Sequence, residues 1–203
     1  YQSVADAAIR QKFERTWGVD LDPQPGLTVV EIMSAVLDGQ IKAMFMMGEN
    51  PFLSDPNINK VKKCLAAMDF LVVQDIFLTE TAAYADVILP GTSFPEKTGT
   101  YTNTDSRVQL ARKAIEPPGQ CRVDWHIIAD LARRMGYPMP YTSEEEIWQE
   151  IVSLTPPFTG ITYERLEQHG VPWPCPAPDH PGILTRFTDA FPRGKATFVP
   201  AEF

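Results

Sequence analysis

Phe70-Leu71-Val72-Val73-Gln74-Asp75 decides the fold: a continuous apolar run of strand length, closed abruptly by an amide and a carboxylate. Two runs of the same kind flank it. Ala43-Met44-Phe45-Met46-Met47 ends at Gly48, and Val87-Ile88-Leu89 is stopped by Pro90-Gly91. Helical segments separate them. Asn57 caps a helix from Ile58 to Met68 that puts Ile58, Val61, Leu65 and Ala66 on one face, and a shorter helix covers Thr79 to Tyr84. Unbroken apolar strands alternating with helices predict a parallel sheet buried on both faces, with right-handed crossovers.

Upstream, a helix is expected from Ser3 to Trp17, stopped by Gly18. Another runs from Thr28 to about Asp38, where Thr28-Val29-Val30-Glu31 forms a capping box and Gly39 ends the element. Downstream the chain changes character. Of 19 prolines, 13 fall at or after Pro117, and none interrupts residues 57–89. The second half therefore suits helices joined by stiff segments. Those helices are Trp125 to Met135 opened by Asp124, Glu144 to Leu154 opened by Ser143, and Tyr163 to His169, forming a helical layer beside the sheet. The run Pro172-Trp173-Pro174-Cys175-Pro176 reads as an ordered surface connection. The fold class is α/β, a partial doubly wound (Rossmann-like) parallel sheet with a helical, Pro-rich C-terminal part. Residues 1–93 form the α/β half, and 94–203 the mixed helical and loop segment.

The 203 residues carry a net charge of −8, with Lys+Arg 18 against Asp+Glu 26. That balance argues against nucleic-acid or anionic-lipid partners, which need clustered cations. No apolar window approaches the roughly 18 residues of a membrane span. Cys64, Cys121 and Cys175 are widely spaced, with no CxxC, so reduced buried thiols are expected. His126, His169 and His180 are equally scattered, and His126 is expected to pack on its helix. The chain starts at Tyr1 without Met and reads as an internal piece of a longer polypeptide.

In an open parallel sheet, ligands sit beyond the carboxyl ends of the strands. Gly48-Glu49-Asn50-Pro51, Gln74-Asp75 and Gly91-Thr92-Ser93 occupy those ends. Adjacent purine N–H groups suit a carboxylate acceptor, and amides near Ser54 to Asn57 could hold a phosphate. The same residue types also build plain turns. Neither GxGxxG nor GxxxxGK[ST] is present, nor HExxH or GxSxG. The loop from Phe94 to Gln109, with four threonines, reads either as a ligand-following loop or as a solvated hairpin. Glu144-Glu145-Glu146 complements a helix dipole.

Four strings together resemble the molybdopterin oxidoreductase superfamily: Met47-Gly48-Glu49-Asn50-Pro51, Gln74-Asp75-Ile76-Phe77-Leu78-Thr79-Glu80-Thr81-Ala82, Ala85-Asp86-Val87-Ile88-Leu89-Pro90 and Gly99-Thr100-Tyr101-Thr102-Asn103. Within it, Phe13-Glu14-Arg15-Thr16-Trp17-Gly18-Val19, Asp124-Trp125-His126-Ile127-Ile128, Arg134-Met135-Gly136-Tyr137-Pro138-Met139, Glu146-Ile147-Trp148 and Trp173-Pro174-Cys175 resemble the formate dehydrogenase catalytic (alpha) subunit. The resemblance covers essentially the whole chain.

The resemblance implies a bis-(molybdopterin guanine dinucleotide) cofactor with molybdenum or tungsten. It implies formate as substrate, an iron–sulfur cluster in an N-terminal part, and iron–sulfur or flavin partner subunits. Electrons would pass to NAD in a cytoplasmic complex. The family's metal ligand, a Cys or selenocysteine followed by His, is implied upstream, so no catalytic residue and no metal ligand is assigned here. Cofactor-binding positions carried over are Gly48, Glu49, Asn50, Ser54, Gln74, Asp75, Gly91 and Asp124. Asn50 stands where some members have Asp, and Gly91 where some have Ser. Thr102 and Asn103 lie in a family signature without an assigned contact. Another molybdopterin oxidoreductase, such as a nitrate reductase, and a cofactor-free scaffold subunit are the alternatives.

Overall fold

A computed structural model describes residues 2–188, 191, 194, 195 and 197–200. The chain divides into two compact units, Tyr1–Thr98 with Arg112–Glu144, and Gly99–Ala111 with Glu145–Phe203. This division interleaves the chain, where the sequence suggested one cut after residue 93.

The first unit carries β1 (Ala43–Met47), β2 (Phe70–Asp75) and β3 (Val87–Pro90), paired in that order and all parallel. Its helices are α1 (Ala7–Trp17), α2 (Val29–Leu37), α3 (Pro51–Ser54), α4 (Ile58–Ala67) and α5 (Asp124–Arg134). Local chemistry sets most boundaries. Thr28 and Glu31 form the reciprocal capping box of α2, and Gly18 ends α1 at φ 67°. Helix α1 starts later than Ser3, because the Asp6 carboxylate accepts from the Ala8 and Ile9 amides and caps it there. Between Thr79 and Tyr84 only a 3₁₀ turn forms, at Ala82–Tyr84.

Met46, Leu71 and Val73 share one face of the sheet and pack on Val61 and Leu65 of α4. Met33 and Val36 of α2 pack on Cys64. The inner face of α4 therefore runs through Val61, Cys64 and Leu65, and Ala66 is exposed, contrary to the sequence reading. Three and four residues on from Val61 lie Cys64 and Leu65, one turn above it, while Ala66 has rotated past. The Cys64 thiol donates to the Met33 carbonyl at 3.0 Å, and burial pushes its pKa up. Cys121 is only half-buried, unlike the other two free thiols.

The opposite sheet face is not buried as expected: Phe45 and Val87, both on it, are each 38% exposed. Gln74 lies on that same face at the strand end and is 1% exposed.

The second unit has an antiparallel sheet; the sequence offered its hairpin as one reading of residues 94–109, and its third strand was not anticipated. Strands β4 (Gly99–Thr102), β5 (Arg107–Ala111) and β6 (Val171–Pro172) pair in that order. With them lie α6 (Glu144–Leu154) and α7 (Tyr163–Gln168). Val108, Trp148, Ile161, Leu166, Val171 and Cys175 form its core. The proline-rich run is thus no surface connection. Gly160 donates to the Cys175 carbonyl at 2.7 Å, and a Cβ on Gly160 would lie 2.0 Å from the Ala177 carbonyl oxygen.

Candidate functional site

All the site lies in the first unit, at the carboxyl ends of β1, β2 and β3. Gly48 follows β1 with φ 65°, a conformation that glycine adopts freely. Its amide donates to the Gln74 carbonyl at 2.9 Å, which ties the first strand end to the second. Glu49 is exposed and lines a cleft of 540 Å³ with Val30, Met33, Phe45, Met47 and Ser54.

Asn50 points elsewhere. Its amide donates to Glu80 at 2.9 Å and its carbonyl oxygen accepts from the Thr81 hydroxyl at 2.6 Å. Thr81, fully buried, also accepts from the Phe52 amide. Asn50 therefore staples the loop after β1 to the loop after β2. The Asn50 amide, with the Glu80 backbone N–H, holds the Glu80 carboxyl below its ordinary pKa.

The backbone amides proposed for a phosphate are already committed. Ser54 donates to Asn50, Asp55 to Pro51, and Asn57 to the Asp55 carboxylate, while Pro56 has no N–H. The Asn57 side chain in turn caps α4 by accepting from Lys60. At this turn only side chains such as the exposed Ser54 hydroxyl remain to meet a ligand.

The second cluster is denser. Gln74 Nε2 donates to Asp124 Oδ1 at 2.8 Å, across 50 residues of sequence. Asp124 Oδ2 pairs with Lys97 Nζ, which also donates to the Thr92 carbonyl at 2.8 Å. The side chains of Lys97 and Asp124 are 23% and 21% exposed. A Cβ on Gly91 would lie 2.8 Å from Asp124 Oδ1, so a side chain there would have to displace that carboxylate. Asp75 accepts from the Phe77 amide and shapes its own turn, and its carbonyl accepts from Gly91.

Asp124 is not the cap of α5. Val123 takes the N-cap position, and the Asp124 carboxylate is spent on Gln74 and Lys97. The Asn103 carbonyl oxygen of the side chain accepts from the Arg107 amide and closes the β4–β5 turn, so the hairpin reading holds in the second unit. His126 is exposed and stands edge-on to Trp125, with ring centroids 3.9 Å apart.

Two polar atoms in this cluster have no partner. Gln74 Oε1 and the Thr92 hydroxyl are buried without a hydrogen bond. Such groups are uncommon because each costs desolvation free energy. A buried acceptor, a buried hydroxyl and a small-residue approach at Gly91 fit a ligand presenting N–H donors beside an acceptor, as a reduced pterin or a guanine does. Sequence reading assigned Gln74, Gly91 and Asp124 to the site, and it left Thr92, Glu80 and Thr81, which lie in the strand-end and family strings, and Lys97 without a role. The recurring hydroxyls and acids of Thr79-Glu80-Thr81 were the available signal.

Comparison with known proteins gives this arrangement its context. The sequence profile of molybdopterin oxidoreductases matches residues 5–134, which include every strand end described above. The chain belongs to the molybdopterin oxidoreductase family. Among its relatives, the alpha subunit of an F420-dependent formate dehydrogenase of Methanocaldococcus jannaschii is 46% identical over 207 residues, covering 100% of this chain and 30% of the relative. Formate dehydrogenase H of Escherichia coli is 39% identical over 209 residues, covering 100% and 29%. An assimilatory nitrate reductase catalytic subunit of Bacillus subtilis is 41% identical over 200 residues, covering 94% and 28%. The chain spans less than a third of each of these relatives.

The fold matches acetylene hydratase from Pelobacter acetylenicus with a TM-score of 0.58 at 23% identity, over 83% of this chain and 24% of that one. Among the described residues, no helix is long and apolar enough to cross a membrane.

Proposed function

We propose that the intact polypeptide is the catalytic subunit of a formate dehydrogenase, and that this region binds the dinucleotide form of its pterin cofactor. The observation that carries the binding role is the buried, unpaired Gln74 Oε1 held at the end of β2 by Asp124 and Lys97. The choice of formate rests on formate dehydrogenase subunits aligning over the whole chain.

In this reading Gln74 accepts an N–H donor of the cofactor, and Gly91 lets it approach the β3 end. Glu49 and Ser54 offer free side chains beside the cleft at β1. Gly48, Asn50 and Asp75 shape the loops rather than reach outward, through the bonds each makes within the protein. The bound cofactor, as the bis-guanine dinucleotide with molybdenum or tungsten, supplies the redox chemistry that oxidises formate to carbon dioxide. This chain's residues hold and orient it. Tyr1–Thr98 with Arg112–Glu144 then serve as the cofactor-binding unit, and the rest leads towards a further pterin-binding domain. Electrons leave through iron–sulfur centres to NAD in a cytoplasmic complex with iron–sulfur or flavin subunits.

The nitrate reductase relative favours a second reading, reduction of nitrate at the same kind of site. Assays on the intact protein separate them: formate-dependent dye reduction is expected. Nitrate reduction without formate oxidation would reject formate, and absence of both pterin and metal would leave a scaffold subunit.

A further inference from the structure

Among the four family strings, Ala85-Asp86-Val87-Ile88-Leu89-Pro90 gives no residue to the strand-end site, yet it builds β3. The apolar pattern of that strand does not say how it should pair. Val87 and Ile88 stand opposite Val72 and Val73, on opposite faces of the sheet, and are 38% and 43% exposed. Successive strand residues alternate faces, so a slip by one residue exchanges the two. Burial barely separates the registers, because each leaves a half-exposed branched side chain on either face. Register is weakly specified under that condition.

Polar contacts at the two ends of the ladder supply what the apolar pattern lacks. At the amino end, the Asp86 carboxylate accepts from the Leu71 amide at 2.7 Å, and the Asp86 amide donates to the Leu71 carbonyl at 2.9 Å. Asp86 thus holds both backbone groups of one β2 residue. A slip either way sets Ala85 or Val87 beside Leu71, and neither side chain carries an acceptor. At the carboxyl end, the Gly91 amide donates to the Asp75 carbonyl at 3.0 Å. The same slip moves β3 by about 3.3 Å and takes Gly91 from its place against Asp124.

We infer that Asp86 is a positioning residue: its carboxylate sets the register of β3 on β2 and thereby delivers Gly91 to the far end of the ladder. The step from register to cofactor rests on the reading proposed above, and the register itself does not. Hydrogen exchange and pterin retention in the intact protein test the two steps separately. In the cofactor-free protein, Asp86→Ala should speed exchange about tenfold at the Leu71 amide and also at the Gly91 amide, while the Leu65 amide inside α4 keeps its wild-type rate. Pterin retention, measured as fluorescent pterin released per polypeptide after gel filtration, should fall roughly threefold to tenfold. Asp86→Asn keeps a carbonyl acceptor in the same place and should return both readings to within about threefold of wild type.

If Asp86→Ala does not fold, Asp86→Glu, which moves the acceptor out by one methylene, is read in its place. Faster exchange at Leu71 alone would reduce Asp86 to a local cap, and equal acceleration at Leu65 would mean general loosening. Either result overturns the inference, as does an Asp86→Asn variant that does not recover, or unchanged retention with both strand ends loosened. A wild-type intact protein carrying no pterin would overturn the cofactor reading and leave the exchange rates to judge the register, so the two failures are distinguishable.

Discussion

Two polar clusters, one in each unit, are built on the same plan and finish differently. In the second unit the Arg165 guanidinium donates to the carbonyls of Gly160, Pro178 and His180 at 2.6, 2.9 and 2.9 Å, and to the Cys175 sulfur at 3.3 Å. It clamps the proline-rich run around a fully buried thiol. In the first unit Lys97 and Asp124 hold Gln74 equally firmly, yet Gln74 Oε1 and the Thr92 hydroxyl stay unpaired. A complete cluster contributes to folding, whereas an incomplete one spends stability on readiness to bind.

The contrast breaks first, and hardest, at Arg165. Arg165→Met leaves three carbonyls without their charged donor, and the local loss should be about 2–4 kcal/mol. Hydrogen exchange at the Gly160 and Cys175 amides, both bonded across the clamp, measures it. Pterin retention should not change.

Gly91→Ala should cost about 1–3 kcal/mol, because the added methyl meets Asp124 Oδ1 at 2.8 Å. Thermal unfolding of the cofactor-free intact protein would show that loss, and pterin retention should drop with it. Thr92→Val acts in the opposite direction. Removing an unpaired buried hydroxyl should raise the cofactor-free protein's stability by up to about 1 kcal/mol while weakening retention. Equal stability and equal retention would place Thr92 outside the site.

The smallest effect belongs to a cluster that faces solvent. Asp130 accepts from Arg122 and Arg133, and their guanidinium hydrogen bonds lower its pKa from 3.8 to about 2. A carboxyl depressed in the folded state contributes stability that is present above its unfolded value and lost as pH falls through its folded one. The difference in urea midpoint between wild type and Asp130→Asn should therefore be present at about pH 5 and vanish between about pH 4 and about pH 2. Salt should shrink it too, because the pair is exposed.

Much of the first unit was legible because its signals are local. The capping box at Thr28, the glycine stop at Gly18 and the runs at 43–47 and 70–75 act within a few residues of themselves. The site was legible only as addresses. Gly48, Gln74, Gly91 and Asp124 were named from strand ends and family strings, yet their partners were not. The amides at Ser54 to Asn57 looked like donors and proved already bonded, because a short helix, α3, consumes the first two. In the second unit the prolines hid a strand: β6 pairs with β5 across 63 residues, where no periodicity in either run reveals the other.

By itself, then, the sequence determined the three parallel strands and most of the helices, where caps and glycines end them, and which family strings lie at the strand ends. These follow from short-range sterics and hydrogen bonding. Only tertiary structure decided that Asp124 leaves its helix end to serve Gln74, that Lys97 completes the pair, and that one amide oxygen is left over. The physical reason is range: whether a buried polar atom finds a partner depends on groups brought together by packing, and the chain's linear order does not encode that distance.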